Sequence, residues 1–406
     1  MTYTVIDLFS GGGGMSHGFH VHDDFELVAA FDAQVGKPSS GKGSLQCNQT
    51  YQANMGFAPT EVDLSEISVE DLQSHVTSAL AGRKLDIMIS CAPCTGFSRA
   101  KSNNHVKDDP RNSLVQRSAD FAVALQPNVF VMENARELLQ GNFTEHFLYL
   151  KKKLETSGYK LRYGVHFLSQ FGLPQKRERA LIIACKEPFK PRCLEQLWEG
   201  YAVSKKAITV RRAISHLPEL NAGEVYDNDR CHRAPMLQAE SLERMKRIPA
   251  DGGSWVDLIK TESGKQYLIP SMRRSVEKGK FGSHPDVYGR MKWDAPSITI
   301  KRECAHNGNG RYSHPEQHRL CTVREMGLIQ GFPSYYQFRS GSLANMYRHI
   351  GDAVPPLISH QIAHVCNWIL SGKKPNLHDC ILDSCSLMSG DILESDEKRQ
   401  QLDLAM

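Results

Sequence analysis

The sequence predicts an α/β fold, a doubly wound parallel sheet with helices on both faces and a smaller irregular domain attached. Three observations predict it. Apolar runs of strand length recur through the first 185 residues, separated by stretches of helical spacing. Several runs stop at residues able to do chemistry: Asp32, the Cys91/Cys94 pair and Glu133. Between residues 187 and 294 the rhythm breaks down into Arg-, Lys-, Gly- and Pro-rich segments such as VRRAIS, ADGGSW and SMRRSVEKGKFG.

Residues 3–9 form the first run, followed by Gly11 to Gly14 and then MSHGF, a strand, turn and helix start. Residues 25–31 (FELVAAF) make the second strand and 85–89 the next. Residues 113–125 carry apolar positions at helical spacing, and PNVFVM (127–132) follows as a further strand. Two more strands, 160–168 and 180–184, flank a connection containing Gln175-Lys176-Arg177-Glu178-Arg179. Strands separated by helices imply βαβ units, and right-handed crossovers put the carboxyl ends of the strands on one rim. Open α/β sheets bind ligands there, so the glycine loop, Asp32, Cys94 and Glu133 are expected to face one crevice. Regularity is expected to return at 297–301. Thr322-Val323-Arg324-Glu325 reads as a capping box opening a helix, and Pro355-Pro356 open another that runs to about residue 370. The domain expectation is 1–186, then an irregular domain 187–294, a return to the first domain over 295–376, and a weakly ordered tail 377–406.

With 406 residues and 40% hydrophobic content, the chain can bury a large core. No run approaches 18 apolar residues, so no membrane span is expected, and the N-terminus lacks the basic and apolar regions of a secretion signal. Eleven scattered cysteines do not form a disulfide framework. The net charge of +4 permits nucleic-acid binding without demanding it. Residues 187–294 hold 19 Lys+Arg against 15 Asp+Glu, an excess of four that equals that of the whole chain.

The glycine loop DLFSGGGGMSHGF lets backbone approach a ligand, but it is not a clean G-x-G-x-x-G, since Ser16 stands where the third glycine belongs. Asp32, about 20 residues on at a strand end, suits ribose hydroxyls. Residues 36–43 nearly spell a P-loop, yet Gly43 occupies the place of the metal-binding Ser or Thr, and a surface loop is the expectation there. The C-x-x-C pair has no second ligand pair to complete a zinc site, and a thioredoxin-like dithiol belongs early in a smaller unit. A single nucleophile, Cys94, fits best, with Cys91 turned into packing. Glu133 could act as an acid or hydrogen-bond donor to a ring nitrogen polarised by thiolate attack. Arg177 and Arg179 could hold a substrate carbonyl or backbone phosphates.

Taken together and in order, these segments resemble the DNA (cytosine-5) methyltransferases, which use S-adenosylmethionine. DLFSGGGGMSHGF resembles the family's cofactor loop, which assigns Phe9, Gly11 and Gly13 to the cofactor. Asp32 falls at the ribose-gripping acid, Asp63 in VDLSEI at the adenine-contacting aspartate, and Pro93 beside the nucleophile. PCTGFS resembles the Pro-Cys motif, making Cys94 the thiolate and Ser98 a DNA contact. ENA makes Glu133 the residue on cytosine ring nitrogen 3, and QKRERA supplies Gln175, Arg177 and Arg179 for the target base and the nucleophile loop. RLCTVREMGLIQGFP and GDAVPPLISHQIA resemble the last two motifs, with Asp352, Ala353 and Val354 completing the cofactor site. The pattern departs at Thr95, Ala135 and Asp352 (usually glutamine, valine and asparagine) and in an insertion at 35–46. The resemblance implies a Rossmann-like methyltransferase fold with a cofactor-binding and catalytic domain, and a target-recognition domain at 187–294. Within that domain Arg211, Arg212, Arg273 and Arg274 are the base-reading candidates. It further implies a mixed sheet, double-stranded DNA as substrate, no metal, a monomer, and a cytoplasmic and nucleoid-associated setting in a prokaryote or phage, and leaves open a functional pairing with a restriction endonuclease. Methylation of tRNA, a catalytically dead DNA-binding protein and an NAD-dependent oxidoreductase are the competing readings.

Overall fold

The computed structural model describes residues 2–37, 42–93, 110–279 and 286–394. The central apolar runs become strands buried on both faces, as a doubly covered sheet requires, while the run near 160–168 becomes a largely exposed edge strand. In order, the chain forms β1 (Tyr3–Leu8), α1 (Gly14–His20), β2 (Phe25–Asp32), β3 (Val35–Lys37), β4 (Lys42–Ser44), α2 (Cys47–Met55), β5 (Thr60–Glu61), α3 (Val69–Leu80) and β6 (Ile87–Ser90). It continues with α4 (Leu114–Leu125), β7 (Val129–Ala135), α5 (Glu137–Gln140), α6 (Glu145–Thr156), β8 (Tyr159–Phe167) and β9 (Glu178–Lys186). One seven-stranded sheet has the order β5-β2-β1-β6-β7-β9-β8. It is parallel from β5 to β7, with β9 antiparallel to both β7 and β8. Strand order reverses between β1 and β6, so the crevice of a doubly wound sheet opens past Leu8 and Ser90.

Alternation along the strands divides two cores. Val5, Ile87, Ile89, Val129, Val131 and Ile183 face one side, against α1 and a helix near the C-terminus. Ile6, Met88, Phe130, Met132 and Ile182 face the other, against α3, α4 and α6. The strand expected at 85–89 starts at Ile87, because Asp86 is a clip: its carboxylate accepts from Thr4 N at 3.0 Å and Asn128 Nδ2 at 2.9 Å. Residues 297–301 form no strand, only an isolated bridge between Ser297 and Gln175.

Beyond β9 the chain forms α7 (Leu194–Leu197), β10 (Tyr201–Val203), α8 (Val210–Ile214), β11 (Val225–Tyr226), β12 (Asp229–Arg233), α9 (Ala239–Arg247), α10 (Glu262–Lys265) and α11 (Pro270–Glu277). It closes with α12 (Val323–Ile329), α13 (Leu343–Asp352), α14 (Pro356–Ser371) and β13 (Ile392–Glu394). The capping box is present: Thr322 Oγ1 accepts from Glu325 N at 3.1 Å, and a Glu325 carboxylate oxygen from Thr322 N at 2.6 Å. α14 lies on α1 at backbone contact, since a Cβ on Gly18 would meet His360 N at 2.2 Å.

Two boundaries need correction. The irregular region is not separate from residue 187 onward. Leu194, Leu197, Trp198 and Ala207 belong to the first core, and Trp198 Nε1 donates to Gln361 Oε1 at 2.8 Å. Its own small core, built on Ile248, Trp255, Leu258, Leu268 and Met272, comes later. Nor are residues 377–394 a loose tail: Leu377, Cys380, Leu387 and Ile392 are buried in the first core, and β13 pairs antiparallel with β10.

Candidate active site

The crevice at the switch point is a real pocket. Phe9, Gly11, Asp32, Asp63, Pro93, Asp352, Ala353 and Val354 line it, together with Glu133. Phe9 leaves β1 in the left-handed region at φ 62, an uncommon state for a bulky residue and one that clusters at binding sites. Gly13 does not line the pocket; it caps α1 at φ 87, which a glycine adopts without Cβ strain. A Cβ on Gly11 would meet nothing within 4 Å, so the absent side chain leaves the pocket wall open.

Asp32 closes β2 with its carboxylate turned back on the glycine loop, accepting from Gly11 N at 2.8 Å, Gln34 N at 2.6 Å and Cys47 Sγ at 3.3 Å. Burial raises its pKa, while those bonds and the nearby Arg302 work against the rise. Asp63 accepts from Ser65 N at 2.8 Å and Ser65 Oγ at 2.6 Å through one oxygen. Asp7, not singled out by the sequence, is buried beneath the loop. One of its oxygens accepts from Ser16 Oγ at 2.5 Å, and the other has no hydrogen-bond partner. Burial pushes its carboxyl up to about 7. Asp352, with a third of its side chain open, is pushed up to about 6, again chiefly by burial.

Glu133 is buried in β7, and Arg179 of β9 stands diagonally across the antiparallel pair, its Nε 3.0 Å from Glu133 Oε1. The neighbouring Asn134 donates from Nδ2 to Ala92 O at 3.0 Å, tying the end of β7 to the segment that leads into Cys94. Cys91 is half buried and lines the pocket as well as the first core. Cys94 and Ser98, and most of the 99–112 loop, lie outside the described residues.

Arg177 and Gln175 do not stand with Arg179. Arg177, 2% exposed, donates to Ile300 O at 3.2 Å and Ala353 O at 3.1 Å, so it holds the 352–354 turn in place. Gln175 is wholly buried, donating to Gln330 Oε1 at 2.7 Å and accepting from Ile300 N at 2.9 Å. Among the arginines of the irregular region, Arg211 pairs with Asp294 at 2.7 Å over the ring of Trp293. Arg212 is drawn to Asp391 at 3.0 Å, and Arg273 bonds the carbonyls of Leu268 and Gln266. Arg274 is exposed on α11. Sequence reasoning also missed Arg302 and His349, which line the pocket from distant segments. No local pattern marks either. Among the described residues no group of three or more His, Cys, Asp or Glu is arranged to hold a metal ion, and no helix is long and apolar enough to cross a membrane.

A doubly wound sheet with a glycine loop, a strand-end acid and a buried Glu–Arg pair at one rim defines an enzyme of the nucleotide-cofactor-binding α/β class. Residues 3–368 match the C-5 cytosine-specific DNA methylase family, and the chain belongs to it. It is similar to the Type II methylase M.HgiDII of Herpetosiphon aurantiacus, with 30% identity over 92% of this chain and 97% of that one. It is also similar to the Type II methyltransferase M1.HphI of Haemophilus parahaemolyticus, at 32% over 89% and 86%. In fold it resembles a prokaryotic protein described as a candidate DNA modification methyltransferase encoded within an E. coli prophage, with a TM-score of 0.61 and 20% identity over 91% of this chain and all of the other. It also resembles the S. pombe Dnmt2 methyltransferase, with a TM-score of 0.54 and 17% identity over 90% and 98%. The protein is a DNA (cytosine-5)-methyltransferase, dependent on S-adenosylmethionine as its family is.

Proposed function

We propose that the enzyme methylates carbon 5 of a cytosine flipped out of double-stranded DNA at a specific site, through a covalent adduct with Cys94. The observation that carries this reading is the Glu133–Arg179 pair at 3.0 Å, in the same pocket as the glycine loop, Asp32 and Pro93. A pyrimidine carbon 5 is too weak a nucleophile to accept a methyl group unaided. The Cys94 thiolate adds to ring carbon 6, and Glu133, oriented by Arg179, holds a proton at ring nitrogen 3. Carbon 5 gains enamine character in consequence. After methyl transfer, loss of the carbon 5 proton and departure of the thiolate restore the ring. The target base leaves the stack at a cost of a few kcal/mol.

The residues fit the methyl donor. S-adenosylmethionine supplies an electrophilic methyl on a sulfonium. Asp32 and Asp63, both in the pocket lining, would hold its ribose and adenine, the open wall at Gly11 would admit it against backbone, and the unpartnered Asp7 oxygen suits a cationic group. The likeness to Type II methyltransferases supports a bacterial or phage setting and a partner restriction endonuclease. Residues from about 216 to 290 carry the sequence reading, because from Ile248 onward they hold a core apart from the sheet. Bisulfite sequencing of DNA from cells expressing the protein tests the whole reading. One modified cytosine in a fixed context is expected, and unmodified DNA alongside methylated tRNA would overturn it.

A further inference from the structure

We propose that Arg302 is a positioning residue of the cofactor site, clamping the inserted strand pair, 35–37 with 42–44, to Asp352 so that Val35 forms the wall beside the donor's ribose. The proposal rests on the reading of this pocket as the methyl-donor site.

The clamp is built by a close backbone approach. A Cβ on Gly351 would stand 2.3 Å from Lys301 O and 2.6 Å from Arg302 N, so only glycine lets the end of α13 reach this segment. The next residue, Asp352, then meets the guanidinium, with Arg302 Nη1 3.1 Å from Asp352 Oδ2. The other terminal nitrogen donates to Gly36 O at 3.1 Å and Val35 O at 3.4 Å. One planar fork therefore joins three chain segments, a geometry that an ammonium cannot reproduce. The far end of the insertion has its own anchors: Leu45 N to Gln34 O at 2.8 Å, Asn345 Nδ2 to Ser44 O at 3.1 Å, and His349 Nε2 against Leu45 O at 2.8 Å. Arg302 ties β3, itself paired with β4, to the end of α13.

Val35 supplies the reason for the clamp. It lines the pocket three residues after Asp32 and is 62% exposed, a large apolar side chain that the protein itself leaves uncovered. Leu45, from the other end of the insertion, lines the same pocket. A bound adenosine would cover Val35 in the pocket that Asp32 also lines.

The clamp also has a charge requirement. Asp352 is surrounded by Arg302, Arg177 and Arg348, which favour its carboxylate, and by Glu303, which opposes it. Burial outweighs them and pushes its carboxyl up to about 6. Protonation near that pH weakens the grip on Arg302.

Equilibrium dialysis with labelled S-adenosylmethionine, together with steady-state methyl transfer, tests this on the full-length protein. R302A is expected to raise Kd and KM about ten-fold or more while kcat stays within about two-fold, as lost charge-assisted hydrogen bonds would. R302K should recover only part of the loss. Wild-type affinity should weaken as pH falls through 6, and D352N should lack that component. Asp7 and Asp32 titrate in both proteins, so the difference between the two profiles isolates the clamp. R302A binding within two-fold of wild type, or superimposable pH profiles for wild type and D352N, would overturn the proposal. A fall in kcat matching the rise in KM would overturn it as well, by showing a general structural role. A wild-type protein that binds no S-adenosylmethionine would overturn the reading of the pocket itself, and the clamp with it.

Discussion

Glu133→Gln separates chemistry from architecture. The substitution keeps the size and shape of the side chain, so the packing of β7 against β9 is preserved. It removes the acid that holds a proton at ring nitrogen 3. A positioned acid contributes about 10²–10⁴ in rate, or roughly 3–5 kcal/mol of barrier. The structural cost is smaller. Glu133 and Arg179 form a buried pair at 3.0 Å, and an amide still offers the guanidinium a carbonyl oxygen, so loss of the charge should cost about 1–3 kcal/mol of stability. Single-turnover transfer of a tritiated methyl group, measured beside DNA affinity by fluorescence anisotropy and a thermal melt, resolves the two. Turnover should fall by two decades or more, with DNA binding within a few-fold and the fold retained. If DNA affinity fell as far as turnover, Glu133 would be a structural strut and the assigned role would be wrong.

Cys94→Ser should abolish methylation and the trapping of enzyme on 5-fluorocytosine DNA, whereas Cys91→Ser should retain most of both; equal loss would revive the dithiol reading. Asp7→Asn should stabilise the protein at pH 8 and not at pH 3. The Asp7 carboxyl stands at about 7 against 3.8 when unfolded, so its contribution is intact below 3.8 and lost as pH rises through 7. About three pKa units set an upper bound of roughly 4 kcal/mol, and urea melts at the two pH values that showed the same gain would contradict the assignment. Exchanging residues 216–290 for those of a relative with a different site should move methylation to the relative's site. Exchanging 187–294 should instead impair folding, because Trp198 and Leu197 sit in the catalytic core. A well-folded 216–290 chimera that kept the original site would remove this region as the reader.

Much of the sheet was legible because its strands are apolar on both faces and end at chemically distinctive residues; Asp32 and Glu133 lie in the pocket for that reason. What escaped notice depends on contacts between distant segments. Arg302 and Asp352 are 50 positions apart and meet only through the contact at Gly351. The packing of residues 377–394 was hidden by polar residues interspersed among Leu377, Cys380, Leu387 and Ile392, and by a strand pairing across about 190 positions. Arg212 reads as a free DNA-facing charge until Asp391 from that segment is found beside it. The surroundings of Arg177 and Gln175 were hidden for a related cause. Motif spacing puts them next to Arg179, but only the fold shows their polar atoms turned toward the Ile300 and Ala353 backbone and Gln330.

The first core joins the two ends of the chain: Val5, Met15 and Phe19 pack with Leu357, Ile362, Ile369 and Ile392. During synthesis, the strands are complete once β9 ends at Lys186, yet α14 begins only at Pro356. At about 5–20 residues per second, the intervening 170 positions take on the order of ten to thirty seconds to emerge. Throughout that interval one apolar face of the nascent sheet is covered only in part, by α1 and the segment around Trp198, and the rest is open to the kind of contact that chaperones make.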